Sequence, residues 1–148
     1  NSNYQIVQSR DTVAILMEMM HEARIIPIGR DIEVPADVRK DLGVSLGYWD
    51  GDTLVVETTN FNRDVNFSGA SRELLLTERF TRVAPDTLQY QFTMDDSATW
   101  TRPWTATIYM RPAPGTGRIY EFACHEGNYA IANTLRGARL QEAEELGR

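Results

Sequence analysis

Three times along the chain the pair Asp-Thr opens a β-rich run: "RDTVAIL" from Arg10, "GDTLVVE" from Gly51 and "PDTLQYQF" from Pro85. Aspartate favours a tight turn because its short carboxylate accepts nearby hydrogen bonds, and the β-branched threonine favours the extended backbone that follows. Each pair comes after another extended segment, so each reads as a hairpin turn between sequential antiparallel strands. A chain that doubles back this often builds a meander. The similarity of the three turns needs no ancestral repeat.

The rest of the pattern extends the meander. Strands are expected over 4–8, 12–20 and 22–28, followed by a Pro-containing loop with a short helix over 36–42. A short strand at 47–49 meets 53–59 through "DG", and the longest hairpin joins 72–83 to 87–95. The last hairpin joins 105–111 to 118–125 around "PAPGTG". The polar loop 60–71 has the make-up of a lid. From Gly127 the pattern turns helical, with Asn128 as the candidate N-cap and Gly137 weakening the middle. Eight or nine antiparallel strands and one C-terminal helix predict an all-β fold. The expected form is a meander barrel of lipocalin-like (calycin) character, because closure removes sheet edges. The alternative is an α+β helix-grip fold, a curved sheet wrapped on that helix. A cone fold of the ketosteroid-isomerase type lacks its N-terminal helices here.

A length of 148 residues fits one domain, residues 1–148, with a core of its own. The net charge of −6 argues against a nucleic-acid partner, which calls for a basic stripe. No apolar run is long enough for a membrane helix. The single cysteine, Cys124, excludes an internal disulfide.

Alternation assigns the faces. Leu88, Tyr90, Phe92 and Met94 share one side of their strand. Three strands are mixed. In "ELLLTERFTRV" one parity carries Leu74, Leu76, Glu78, Phe80 and Arg82, and the other carries Arg79. "TVAILMEMMH" and "RIYEFACH" are mixed in the same way. Either these strands are covered on both sides, or they line a cavity with a few polar groups. A charge that faces inward needs a partner.

The chemistry-bearing candidates follow from those faces. In "YEFACHEGNYA", His125 and Glu126 stand at a strand-to-helix junction. Such a histidine suits proton transfer at neutral pH, with the carboxylate orienting its ring. Glu121 has the parity of His125 but lies ~13 Å away along a straight strand. The plainer reading is that His125 ends the strand and bonds backbone. Cys124 has the opposite parity, which favours a small buried hydrophobe over a nucleophile. His21 ends another strand, where it could meet His125 across the barrel mouth, but no H-x-H or H-E-x-x-H spacing supports a metal, and no cofactor is expected. Trp100 and Trp104 flank Arg102 and Pro103. They suit either a flat wall for an apolar ligand or a plug for the barrel end.

The segments "GYWDGDTLVVETTNF", "ERFTRV", "TWTRPWT" and "YEFACHEGNY" resemble, in this order, an uncharacterised family of bacterial β-rich proteins, many with export signals and longer N-termini. The resemblance covers about residues 4–139. It implies a periplasmic or secreted protein, and a chain that is the C-terminal part of a longer exported one. It implies no reaction. The chemically capable residues in the stretch that the resemblance covers are His21, Arg24, Glu78, Arg79, Trp100, Trp104, Glu121, His125, Glu126 and Asn128.

The expected function is binding of a small apolar or aromatic molecule, with Trp100, Trp104 and Tyr90 as walls and Arg79, Glu78 and His21 as polar contacts. One alternative is a cofactor-free acid–base enzyme, a lyase, isomerase or hydrolase. In that reading His125 is the general acid or base, Glu126 or Glu121 is its partner, and Arg79 stabilises developing negative charge. The other alternative is a structural or interaction domain.

Overall fold

The computed structural model describes residues 3–29, 33–62, 69–115, 119 and 129–147. All three Asp-Thr pairs sit where a strand begins. Thr12, Thr53 and Thr87 are the first residues of β2 (Thr12–Met17), β5 (Thr53–Thr59) and β7 (Thr87–Asp95). Their partners across the turns are β1 (Tyr4–Gln8), β4 (Val44–Asp50) and β6 (Leu75–Ala84). Two of the three aspartates accept from hydroxyls in their turns. Asp11 accepts from Ser9 and Thr12, and Asp86 accepts from Thr87. The described strands are completed by β3 (Ala23–Pro27) and β8 (Trp104–Met110), and α1 (Ala130–Leu146) follows.

The eight strands form two antiparallel sheets, each a meander: β1-β2-β3 and β4-β5-β6-β7-β8. The sheets touch at their neighbouring edges. Ile28 and Gly47 make a parallel bridge, and the Gly29 N–H donates to the Gly47 carbonyl at 2.9 Å. Gly47 allows this approach. A Cβ there would lie 2.7 Å from Ile28 Cδ1 and 3.0 Å from Ile26 Cγ2. Among the described residues no ladder joins β1 to β8, and the described strands form two sheets. The expected strand over 118–125 lies outside the described residues, apart from Ile119.

Two local expectations are corrected. The second strand stops at Met17, and residues Met19–His21 form a 3₁₀ turn that His21 leaves with a left-handed φ of 50°. The helix over 36–42 is replaced by two separate turns. The cause is competition for the Lys40 backbone. Its N–H donates to the Asn60 carbonyl and so is not left for a helix, while its carbonyl accepts from Asn62 as well as from Gly43 in a local turn. A helix of seven residues is too short to offset that loss.

Alternation on both sheets produces the main core. Val13, Ile15 and Ile26 of the first sheet pack against Leu54, Val56 and Phe80 of the second. Each fully buried side chain of this kind contributes roughly 1.5–3 kcal/mol. A second core lies at the other end of the larger sheet, where Phe61, Ala70, Leu74 and Met94 are covered by Trp100 and Trp104. Helix α1 has no buried residue and no side-chain N-cap bond at Tyr129. Asn128 lies outside the described residues. Among those residues, no helix is long and apolar enough to cross a membrane.

Candidate functional site

The charge on the inner face of β6 finds its partner on the other sheet. Period-two alternation sends Glu78 to the same side as Phe80. It also turns Arg24 inward, because Arg24 stands two residues before the fully buried Ile26. The two side chains meet as a fork. Arg24 Nη1 donates to Glu78 Oε1 at 3.0 Å, and Nη2 donates to Oε2 at 2.6 Å. Nη2 also donates to Ser45 Oγ and Thr58 Oγ1, each at 3.0 Å. Ser45 and Thr58 are cross-strand neighbours whose hydroxyls are 2.8 Å apart. From β7, the Tyr90 hydroxyl donates to Glu78 Oε1 at 2.8 Å.

This network joins β3, β4, β5, β6 and β7. The side chains of Arg24 and Glu78 are only 13% and 3% exposed, so water does not compensate their charges. The bidentate geometry and three hydroxyls do so instead. Among the described residues, no buried side-chain nitrogen or oxygen lacks a partner. Burial alone would lower the Arg24 pKa, but the hydrogen bonds and charge of Glu78 outweigh it and raise it above the ordinary value. Burial also raises the Tyr90 pKa, and Glu78 raises it further by charge and hydrogen bond, against a smaller pull from Arg24. The phenol therefore stays protonated and acts as a donor.

Tyr90 is also a wall of an open cleft. The cleft lies between β1 and the β7–β8 hairpin and has a volume of about 780 Å³. Tyr4, Ile6, Leu88, Tyr90, Ile108 and Met110 supply its apolar surface. The register stacks these residues in rows. Phe80, Tyr90 and Ile108 form one row, and Arg82, Leu88 and Met110 form the next. The volume is in the range of small-molecule sites, which combine apolar walls with a few fixed polar groups.

Rings continue from the cleft into the second core. Phe80 stacks on Tyr90 at 4.8 Å, Tyr90 on Phe92 at 5.6 Å, and Phe92 meets Trp104 edge-on at 5.7 Å. Trp104 then meets Trp100 at 5.6 Å. A smaller hollow of about 500 Å³ is lined in part by Arg24 and Ser45. Glu22, Glu33, Lys40 and Asp41 line it, so its charges are mixed in sign. Its Arg24 is already committed to Glu78. The cleft offers the more continuous apolar surface and is the stronger candidate.

The structure brings Glu78 and Tyr90 together, and sorts the other sequence candidates. Trp100 and Trp104 cover the second core and connect to Tyr90 through Phe92. Arg79 lies on the face opposite Glu78 and donates to Asp50 at 2.8 Å, with both side chains solvent-accessible. His21 is exposed on its 3₁₀ turn. His125, Glu126, Glu121 and Cys124 lie outside the described residues. Sequence reading did not assign Arg24 to the site. The parity it shares with Ile26, and the rule that an inward Glu78 needs a cation, are the signals that identify it. Compared with protein-family models, curated proteins and solved structures, the chain matches none.

Proposed function

We propose that the protein binds one small apolar or aromatic molecule in the cleft between β1 and the β7–β8 hairpin. In this reading the two sheets are the halves of an open barrel of calycin character, and the cleft is its mouth. The observation that carries the proposal is the exposure of Tyr4, Ile6 and Ile108 on the walls of one concavity that ends at Tyr90. A contiguous exposed apolar surface of this kind is costly in water unless something covers it. The Arg24–Glu78 pair fixes the Tyr90 hydroxyl, so the end wall of the cleft is rigid before a ligand arrives. Preorganisation lowers the entropic cost of binding. The resemblance of its motifs to exported bacterial proteins supports a periplasmic or secreted location and membership of that family.

N-phenyl-1-naphthylamine, a neutral fluorophore, tests the reading. The expected result is saturable binding at one molecule per chain. Ile108→Glu puts a charge into the cleft from an already exposed position and is expected to weaken binding about tenfold or more. Thr107→Glu, on the other face of β8, is expected to leave it unchanged. No saturable binding, or equal binding by the Ile108 variant, removes the proposal.

A further inference from the structure

The geometry points to an anionic amphiphile as the ligand of this cleft, with its apolar body against Tyr90, Leu88 and Ile108 and its anionic head at the mouth on Arg82 and Arg111. This rests on the cleft being a binding site, and it adds the charge and orientation of what binds.

The end wall at Tyr90 has no capacity left for an anion. The Tyr90 hydroxyl hydrogen is engaged by Glu78, and both Glu78 oxygens are held by Arg24. The carboxylate of Glu78 would also repel a second negative charge placed beside it. A charged head therefore has to sit at the other end. Arg82 continues the inner alternation of β6 beyond Phe80, in one row with Leu88 and Met110. Its Nη1 donates to the Pro85 carbonyl at 2.9 Å, which fixes the side chain and leaves its other donors for a ligand. Arg111 directly follows Met110 and also lines the cleft, and among the described residues its side chain has no hydrogen bond or ion pair.

The acid beside them does not cancel this charge. Asp86 lines the same mouth, accepts from the Thr87 hydroxyl, and forms no ion pair with either arginine. Two arginines against one aspartate leave the mouth cationic in a chain whose net charge is −6. Guanidinium groups bind carboxylate, sulfonate and phosphate oxygens in a planar fork, and the adjoining apolar walls select for a tail.

A matched pair of fluorophores separates this inference from the one it rests on. N-phenyl-1-naphthylamine and 8-anilinonaphthalene-1-sulfonate share a ring system and differ in one anionic group. The sulfonate is expected to bind about tenfold more tightly at low ionic strength, an advantage that shrinks as salt is added. The double variant Arg82→Gln/Arg111→Gln is expected to abolish the difference between the probes, so that the sulfonate binds it no more tightly than the neutral probe does. Arg82→Lys/Arg111→Lys, which keeps the charge, should retain most of the advantage. Equal or tighter binding of the neutral probe by the wild type, or an undiminished sulfonate advantage in the glutamine variant, overturns the anionic assignment and leaves the cleft as a neutral site. Failure of both probes to bind removes the cleft reading and this inference together.

Discussion

Arg24 of β3 and Glu78 of β6 are 54 residues apart in sequence and meet in a bidentate pair, 2.6 Å at its shorter contact, between the two sheets. With the hydroxyls of Ser45, Thr58 and Tyr90, the pair forms the polar part of an interface whose apolar part is Val13, Ile15, Ile26, Leu54, Val56 and Phe80. It therefore sets how β3 lies across the larger sheet, because sliding the sheets would strand both charges without solvent.

Removing one partner leaves the other buried and uncompensated. Arg24→Met and Glu78→Leu are each expected to cost about 3–5 kcal/mol in urea unfolding. The double variant is expected to unfold within about 2 kcal/mol of wild type, because apolar side chains of similar volume replace the whole pair. Losses that simply add in the double variant would show that the two residues act independently.

Tyr90 makes stability depend on alkaline pH. Burial, and then Glu78, raise its pKa in the folded protein. The unfolded chain releases this proton near pH 10, so above about pH 10 the unfolded state binds fewer protons than the folded one. Stability falls with rising pH in that range. The contribution is complete below about pH 10 and is lost as pH climbs through the folded value. Tyr90→Phe is expected to cost about 1–2 kcal/mol at pH 7 through the lost hydrogen bond to a carboxylate. The gap between variant and wild type should narrow above about pH 10. A gap that stays constant between pH 7 and 11 would contradict the buried-donor assignment.

The sequence made some of this visible and concealed the rest for physical reasons. The β7 face Leu88, Tyr90, Phe92 and Met94 was legible because alternation is a property of one strand. That Glu78 or Arg79 would face inward was legible too, along with the need for a partner. Which residue supplied the partner was not, because it depends on how two sheets pack. Trp100 and Trp104 looked equally suited to wall or plug, since a ring cluster has the same sequence signature in a cavity and in a core. The structure puts them over Met94 and Leu74. The helix over 36–42 failed because Lys40 bonds to residues 60 and 62, a long-range contact that no local pattern announces.

Asp96 holds the link between β7 and β8 and is predicted to matter in acid. It is buried and accepts from the Ser71 N–H at 2.6 Å, the Thr99 hydroxyl at 2.8 Å, the Ser71 hydroxyl at 3.0 Å and the Ala98 N–H at 3.1 Å. Burial works to raise its pKa, but these donors together bring it below the ordinary carboxylate value. Its contribution is complete above the unfolded value of about 4 and is lost as pH falls through the folded one. Asp96→Asn is expected to cost about 2 kcal/mol at pH 7, where the charged acceptor is exchanged for a neutral amide. The difference should close as the pH is lowered below about 4. Equal loss at pH 7 and pH 2.5 would rule out the charge as its source.

Arg79 is the candidate that the fold turns away from the cleft. Its pair with Asp50 is on the outer face, with side chains 39% and 58% exposed. Exposed pairs of this kind contribute about 0–1 kcal/mol. Arg79→Ala is expected to shift the urea midpoint by no more than that and to leave the affinity for N-phenyl-1-naphthylamine unchanged. A tenfold loss of probe affinity in a normally folded variant would return Arg79 to the site.

Gly47 is where the two sheets come closest, and it gives the most local test of the fold. Its carbonyl accepts from Gly29, and the space a Cβ would need is taken by Ile28 and Ile26. Ile28 Cδ1 is the end of a flexible side chain and can move. Ile26 is fully buried and cannot move without disturbing the core. Gly47→Ala is therefore expected to destabilise the fold modestly, because the tight contact with Ile26 remains and relief of glycine's backbone entropy offsets only part of it. Gly47→Val adds two methyl groups to a space already crowded at Cβ and is expected to cost about 1–3 kcal/mol. Ile28→Ala in the valine background should recover part of that loss by opening the space next to residue 47. Hydrogen exchange at the Gly29 amide reads the contact directly. It should speed up in Gly47→Val and slow again in the rescued double variant. Unchanged exchange alongside lost stability would mean that the damage lies elsewhere and that the sheets do not depend on this contact.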